Sequence, residues 1–360
     1  MRERRAWLVL ADGSAWEGRS LGAAEAAEGE VVFTTGMVGY VESLTDPSYA
    51  GQILIFTSPL IGNYGVPRAG RPDAPDGGFE SARIHARGVV VSSAPSGPSH
   101  HRSRMTLDDW LRGEGVAGIQ GVDTRALVRR LRSHGTVPGR IVHARPRGGG
   151  RVDIVDPLAG DLVPSVCSRE VRTYGGGGKK VALVDCGLKR SILKGLLDQG
   201  LQVTVMPWDA DVKDLDGAFH GVVLSNGPGD PERCGPTIEL TRALMERGTP
   251  ILGICLGNQI LALAAGAQTY KLPFGHRSQN QPCVDRSSGR CYITSQNHGF
   301  AVRGSSLPRG WEVWFENLND STVEGIRHRT KPFRAVQFHP EARPGPVDTS
   351  FLLSDFARSL

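Results

Sequence analysis

Between Val181 and Ala265 the chain alternates short apolar runs with helical ones, a pattern that few folds accommodate. Val181-Ala182-Leu183-Val184-Asp185 predicts a buried strand. Ser191–Gln199 predicts a helix that Gly200 closes, and Gln202–Pro207 the next strand. Gly221–Ser225 follows as a strand and Thr237–Arg247 as a helix ended by Gly248. Pro250–Cys255 is a strand that runs directly into a helix from about Asn258 to Ala265. Unbroken apolar strands joined by helices predict a mainly parallel sheet covered on both faces. The expected fold class is therefore α/β, with a mostly parallel domain over residues 179–360. In such sheets, sites gather at the carboxyl ends of the strands.

The first 150 residues read differently. Trp7–Leu10 and Ala15–Leu21 flank Ala11-Asp12-Gly13-Ser14, and Asp-Gly is a strong hairpin signal. Short strands are expected at Glu30–Thr34, Gln52–Thr57 and Gly88–Ser92, separated by turn clusters such as Gly62-Asn63-Tyr64-Gly65. One helix is expected near Leu107–Arg112. Asp123-Thr124 should cap another, which runs through Arg132 and ends at Gly135. This predicts a smaller, β-rich N-terminal domain over 1–150. Residues 151–178, bracketed by Gly148-Gly149-Gly150 and Gly175–Gly178, read as a linker. The second glycine run is no phosphate loop: lysine follows Gly178-Lys179, and the glycines precede the strand.

Composition narrows the function. No apolar run is long enough to span a membrane. The apolar stretch behind Met1-Arg2-Glu3-Arg4-Arg5 stops at Asp12, too soon for a signal peptide, so a cytoplasmic protein is expected. The net charge of +5 is spread among interspersed acids and bases, with only seven lysines among 42 basic residues. No basic stripe carries aromatics, so no nucleic-acid partner is expected. Ser99-His100-His101-Arg102-Ser103-Arg104 reads as a solvated loop. Six scattered cysteines lack a Cys-x-x-Cys pair, which argues against a disulfide framework. Cys283, Cys291 and His298 lack the paired spacing of a zinc site.

Four segments carry chemistry. Gly253-Ile254-Cys255-Leu256-Gly257 has the form of a nucleophile elbow with cysteine in the nucleophile position. The tight turn needs glycines and projects the sulfur at a helix start, where open N–H groups favour thiolate. Ala335-Val336-Gln337-Phe338-His339-Pro340-Glu341 offers a base and, two residues on, a carboxylate on the same face of an extended segment. His339 would carry the proton and Glu341 would orient it. Ser225-Asn226-Gly227-Pro228-Gly229 could join the Leu256 N–H around an oxyanion. Losing one such donor typically costs about a hundred- to thousandfold in rate. Ser295-Gln296-Asn297-His298-Gly299-Phe300, which otherwise passes as a turn, has polar groups suited to holding an amino acid.

From Val181 to the C-terminus these segments resemble the class I glutamine amidotransferases, the triad family. Gly29-Glu30-Val31-Val32-Phe33, Gly39-Tyr40, Leu44-Thr45-Asp46-Pro47-Ser48-Tyr49 and Gly121-Val122-Asp123-Thr124-Arg125 resemble the N-terminal domain of carbamoyl-phosphate synthetase small subunits. The resemblance implies that Cys255 attacks the side-chain amide of glutamine. His339 protonates the departing ammonia, and water hydrolyses a glutamyl thioester. It implies glutamine contacts at Ser48, Gly227, Gly229, Leu256, Gln259, Asn297, Gly299 and Phe300, with Ser48 contributed by the first domain. Ammonia then passes through a tunnel to a large synthetase subunit, the partner in a heterodimer. That subunit would hold the ATP and Mg, so this chain needs no cofactor or metal of its own. Asn258 stands where the family often has histidine. Two other readings use the same residues: a stand-alone cysteine hydrolase or peptidase, and a glutaminase serving a different synthetase. A third, a catalytically silent scaffold subunit, would leave the Cys255, His339 and Glu341 pattern without a purpose.

Overall fold

A computed structural model describes residues 4–68, 70, 78–145, 153–155, 159–215 and 219–360. The chain divides into two compact units, Met1–Gly160 and Asp161–Leu360. The glycine run at 148–150 and the residues at 1–3 lie outside the described residues. Of the stretch read as a linker, Asp161 onward groups with the second unit. It contains the short helix Val163–Val166 and the edge strand Arg172–Tyr174.

The first unit is a closed barrel. Its strands run in the order Arg5–Leu10, Ala15–Gly22, Ala117–Gln120, Gly88–Val91, Gln52–Phe56, Ala27–Thr34 and Val137–Val142, which returns to the first. The Asp12-Gly13 hairpin forms as expected, with Val9 opposite Ala15. Every residue of Gln52–Phe56 is buried. Leu54 and Phe56 join an apolar cluster with Trp110 and Leu111 of the helix Leu107–Gly113, and the alternating Ile53 and Ile55 are equally enclosed. Asp123 caps Thr124–His134 through the Ala126 N–H, and Gly135 ends it. Residues 99–104 are largely exposed, though Ser103–Met105 pairs as a short strand with Val66–Pro67.

The second unit is built on one ten-stranded sheet. Its order is Arg172–Tyr174, Gln202–Pro207, Lys180–Asp185, Gly221–Leu224, Ile251–Ile254, Phe333–Val336, Val323–His328, Cys291–Val302, Thr269–Asp285 and Trp311–Asn317. Alternate residues of the central strands go to opposite faces. Ala182, Val184, Val222 and Leu224 pack with Ile238, Leu244 and Ile260 of the helices Gly235–Glu246 and Leu256–Ala265. Val181, Leu183, Val223 and Leu252 pack with Ile192, Leu196 and Phe356 of the helices Arg190–Leu197 and Phe351–Ser359.

The architecture is mixed α/β, and the expectation of a mainly parallel sheet needs correcting. Only the strands from Gln202–Pro207 through Phe333–Val336 run parallel; the others pair antiparallel. The strand–helix alternation stops at Ala265, and the chain continues as a long hairpin. Register breaks between Lys271 and His276 and between Ser278 and Gln281 blur its period. Ser295–Phe300, whose composition alone would pass as a turn, is strand, with the side chains of Ser295, Gln296, Asn297 and His298 buried. The helix expected at 191–199 is Arg190–Leu197, and the one expected from Asn258 begins at Leu256.

Candidate active site

The ends of the parallel strands build the site. Cys255 follows Ile251–Ile254 and precedes the helix Leu256–Ala265, with φ 55° and ψ −103°. A non-glycine residue there carries about 1–3 kcal/mol of strain, held only by its surroundings. The Cys255 N–H donates to Val336 O at 2.9 Å, and the Gly257 N–H donates to Ser225 O at 3.0 Å. A Cβ on Gly257 would meet Leu224 O at 2.3 Å, and one on Gly253 would meet Gly257 O at 2.4 Å. The glycines on either side of the cysteine are thus required by backbone crowding. Leu256 is the first helical residue, so its N–H has no acceptor within the helix.

Cys255 is 2% exposed, and its thiol lies 3.6 Å from Asn297 O. His339 Nδ1 donates to Glu341 Oε1 at 2.6 Å. The two do meet, although the strand ends at Val336 and the His-Pro-Glu segment bends rather than running extended. The His339 N–H is anchored on Ser295 O at 2.9 Å. His339 Nε2 is buried without a regular hydrogen-bond partner among the described residues. Burial disfavours the imidazolium, yet the Glu341 carboxylate and the neighbouring Cys255 outweigh both burial and Lys189, pushing the pKa of His339 up to about 10. Burial likewise opposes the Glu341 carboxylate, but Lys189 and His339 bring its pKa down to about 2.

Lys189 escaped the sequence reading. Its Nζ donates to Glu341 Oε1 at 2.9 Å and to Arg343 O at 2.6 Å. The turn that presents it is fixed by Asp185, whose Oδ1 accepts from the Gly187 and Leu188 N–H groups. Asn226 Oδ1 accepts from the Lys189 N–H. The available signal was positional: a lysine just beyond the carboxyl end of a parallel strand, where sites collect. Gln337 was also missed. Its Oε1 accepts from both Asn258 Nδ2 and Gln259 Nε2 at 3.1 Å.

The other expected contacts divide. Gln259 Nε2 also donates to Phe300 O at 2.8 Å, which ties the helix behind the cysteine to the strand carrying Asn297 and Gly299. Gly227 approaches Cys186 O and Leu256 so closely that a Cβ would lie 2.1 Å from the former and 2.7 Å from the latter's Cδ2. Gly229, at φ 87°, turns the chain beside Leu162. Ser48 belongs to the first unit, buried in the turn Pro47–Tyr49, with its N–H on Asp46 Oδ1. Among the described residues, His276, His298 and Glu324 form a three-ligand cluster that could hold a metal ion. No helix among them is long and apolar enough to cross a membrane.

Comparison with known proteins gives this geometry its context. Residues 8–141 match the carbamoyl-phosphate synthase small chain domain, and residues 182–359 match the class-I glutamine amidotransferase domain. The chain is 46% identical over 364 residues to the carbamoyl phosphate synthase arginine-specific small chain of Aspergillus oryzae, covering 99% of this chain and 80% of that one. It is 46% identical to part of the multifunctional protein CAD of Squalus acanthias and 42% identical to part of the multifunctional protein pyr1-3 of Dictyostelium discoideum. It spans only 16% and 17% of those two relatives. By its two domains and its likeness along nearly the whole chain, the protein belongs to the carbamoyl-phosphate synthase small chains that carry a class-I glutamine amidotransferase domain.

Proposed function

We propose that this chain hydrolyses L-glutamine to glutamate and ammonia and delivers the ammonia to a large synthetase subunit. That subunit would use ATP, Mg and bicarbonate to make carbamoyl phosphate for arginine and pyrimidine synthesis. The observation that carries the reading is the strained Cys255 beside a buried imidazole that is itself hydrogen-bonded to a buried carboxylate.

His339 takes the thiol proton on Nε2, and Sγ attacks the amide carbon, pushing the carbonyl electrons onto oxygen. The Leu256 N–H and the Gly227–Gly229 backbone stabilise that oxyanion. While the sulfur is anionic, its charge supports the imidazolium; once Sγ is bonded to carbon that support is gone, and His339 becomes the better acid. It then protonates the leaving nitrogen as the C–N bond breaks, giving ammonia and a thioester. Neutral His339 next removes a proton from water, whose oxygen displaces Sγ and frees glutamate. Glu341, held by Lys189, keeps Nε2 aimed at the sulfur throughout. Gln259, Asn297, Gly299 and Phe300 would hold the glutamine.

The decisive experiment measures glutamine turnover with and without the large subunit. Ammonia release that rises on assembly and matches carbamoyl phosphate formation supports the reading. Peptide or ester hydrolysis independent of the partner would replace it.

A further inference from the structure

Behind the strand that carries Asn297 and Phe300 lies a buried charge network that the reaction does not consume. Glu324 is 0% exposed. Its Oε1 lies 3.0 Å from His276 Nδ1 and accepts from Asn317 Nδ2 at 3.2 Å, and its Oε2 lies 3.7 Å from His298 Nε2. His276 Nε2 reaches Asp320 Oδ2 at 2.8 Å, so this ring bridges two carboxylates. Burial opposes a charge on His276, but the two acids hold its pKa above the ordinary value, whereas burial keeps that of His298 below it. The Gln296 carboxamide sits between the rings, 3.0 Å from His276 Nδ1 and 3.1 Å from His298 Nε2.

The network ends on the site. His298 Nδ1 lies 2.9 Å from Phe300 O, an atom that only accepts, so Nδ1 carries the proton. The same carbonyl accepts from Gln259 Nε2 on the nucleophile helix. Phe300 O is therefore gripped from two directions, and the strand it belongs to also places Asn297 O 3.6 Å from the sulfur.

We propose that Glu324 is a positioning residue for glutamine binding: it holds His276, whose Nδ1–H also reaches Gln296 Oε1, and so fixes the strand segment Gln296–Phe300 against the Cys255 helix. This rests on the glutaminase reading above. Glu324 supplies a hydrogen-bond acceptor for His276 Nδ1–H at a fixed place, and its removal frees that ring and loosens its hold on the Gln296 carboxamide. Ground-state binding then suffers while the reacting groups stay in place.

The test is steady-state glutamine hydrolysis by the full chain assembled with its large subunit. Glu324→Leu should raise KM for glutamine by about five- to fiftyfold, the size of one lost buried hydrogen bond, with kcat little changed. Glu324→Gln keeps an oxygen for His276 Nδ1–H and should return KM most of the way to wild type. Should the leucine variant not fold, His276→Gln carries the same expectation for KM. An unchanged KM, a loss confined to kcat, or a glutamine variant as poor as leucine would overturn the proposal. A wild-type chain that turns over no glutamine would instead remove the glutaminase reading.

Discussion

Lys189 Nζ lies 2.9 Å from Glu341 Oε1, with both side chains at most 3% exposed. The same oxygen accepts from His339 Nδ1. The Glu341 carboxylate therefore has two cationic neighbours, one of which has no part in the proposed chemistry. Lys189→Met leaves Glu341 buried with His339 alone. Breaking a buried pair from one side typically costs about 3–5 kcal/mol, and the shared acid should soften that. Glutamine turnover should fall at least about tenfold as the imidazole loses its fixed orientation. Ammonia-dependent synthesis in the complex should persist. A Lys189→Met variant with wild-type glutaminase activity and unchanged denaturant midpoint would show that Lys189 is incidental.

Cys255→Ser tests the nucleophile. In the assembled complex, glutamine-driven synthesis should disappear and synthesis from added ammonia should remain. The assay is carbamoyl phosphate formation with each nitrogen source. Near-normal glutamine turnover by the serine variant would remove Cys255 from the mechanism.

The roles proposed for His339 and Glu341 differ, so their losses should differ in size. His339→Ala removes the proton carrier; Glu341→Ala removes only its orienter, and kcat should fall further for the first than for the second. Because Glu341→Ala also strands Lys189 in the interior, Glu341→Gln is the cleaner companion and should retain more activity still. Measured kcat values in the opposite order would exchange or dismiss the assigned roles.

Much of this arrangement was legible in the chain itself. The parallel strands announce themselves because they are apolar on both faces, and the Gly-x-Cys-x-Gly turn because only glycine tolerates such backbone crowding. The antiparallel half was hidden. Thr269–Asp285 has register breaks and buried polar residues, so neither a period of two nor an apolar run marks it. Lys189 and Glu324 were invisible for a related reason: each is a charged residue whose burial depends on partners far away in sequence. Lys189 meets Glu341 across 152 positions, and Glu324 meets His276 across 48. Local pattern carries no trace of such pairs.

Stability should depend on pH through the buried acids. The pKa values of Glu324 and Glu341 are each held at about 2 in the folded chain against an ordinary 4.5, by two histidines in one case and by Lys189 with His339 in the other. Below 4.5 the unfolded chain binds protons that the folded chain does not, so stability present above that pH drains away as pH falls toward 2. Denaturation followed between pH 6 and 3 should show a midpoint falling with pH, more shallowly in Glu324→Gln than in wild type. Equal slopes would mean that Glu324 does not titrate on unfolding.

Gly257 tests the elbow without touching a reacting group. A Cβ there would lie 2.3 Å from Leu224 O and 2.8 Å from Leu224 Cβ, and the first is backbone that cannot swing aside. The helix start must therefore shift, carrying the Leu256 N–H and the sulfur with it. Gly257→Ala should cost about 1–3 kcal/mol in stability, as overpacking does. It should also reduce glutamine turnover by at least about a hundredfold through the displaced oxyanion donor. Gly235→Ala is the control: it opens the helix Gly235–Glu246, its Cβ would meet nothing within 4 Å, and its stability should stay within about 0.5 kcal/mol of wild type. If Gly257→Ala behaved like this control in both assays, the turn at Cys255 could relax without cost, and the strain ascribed to it would have no part in setting up the site.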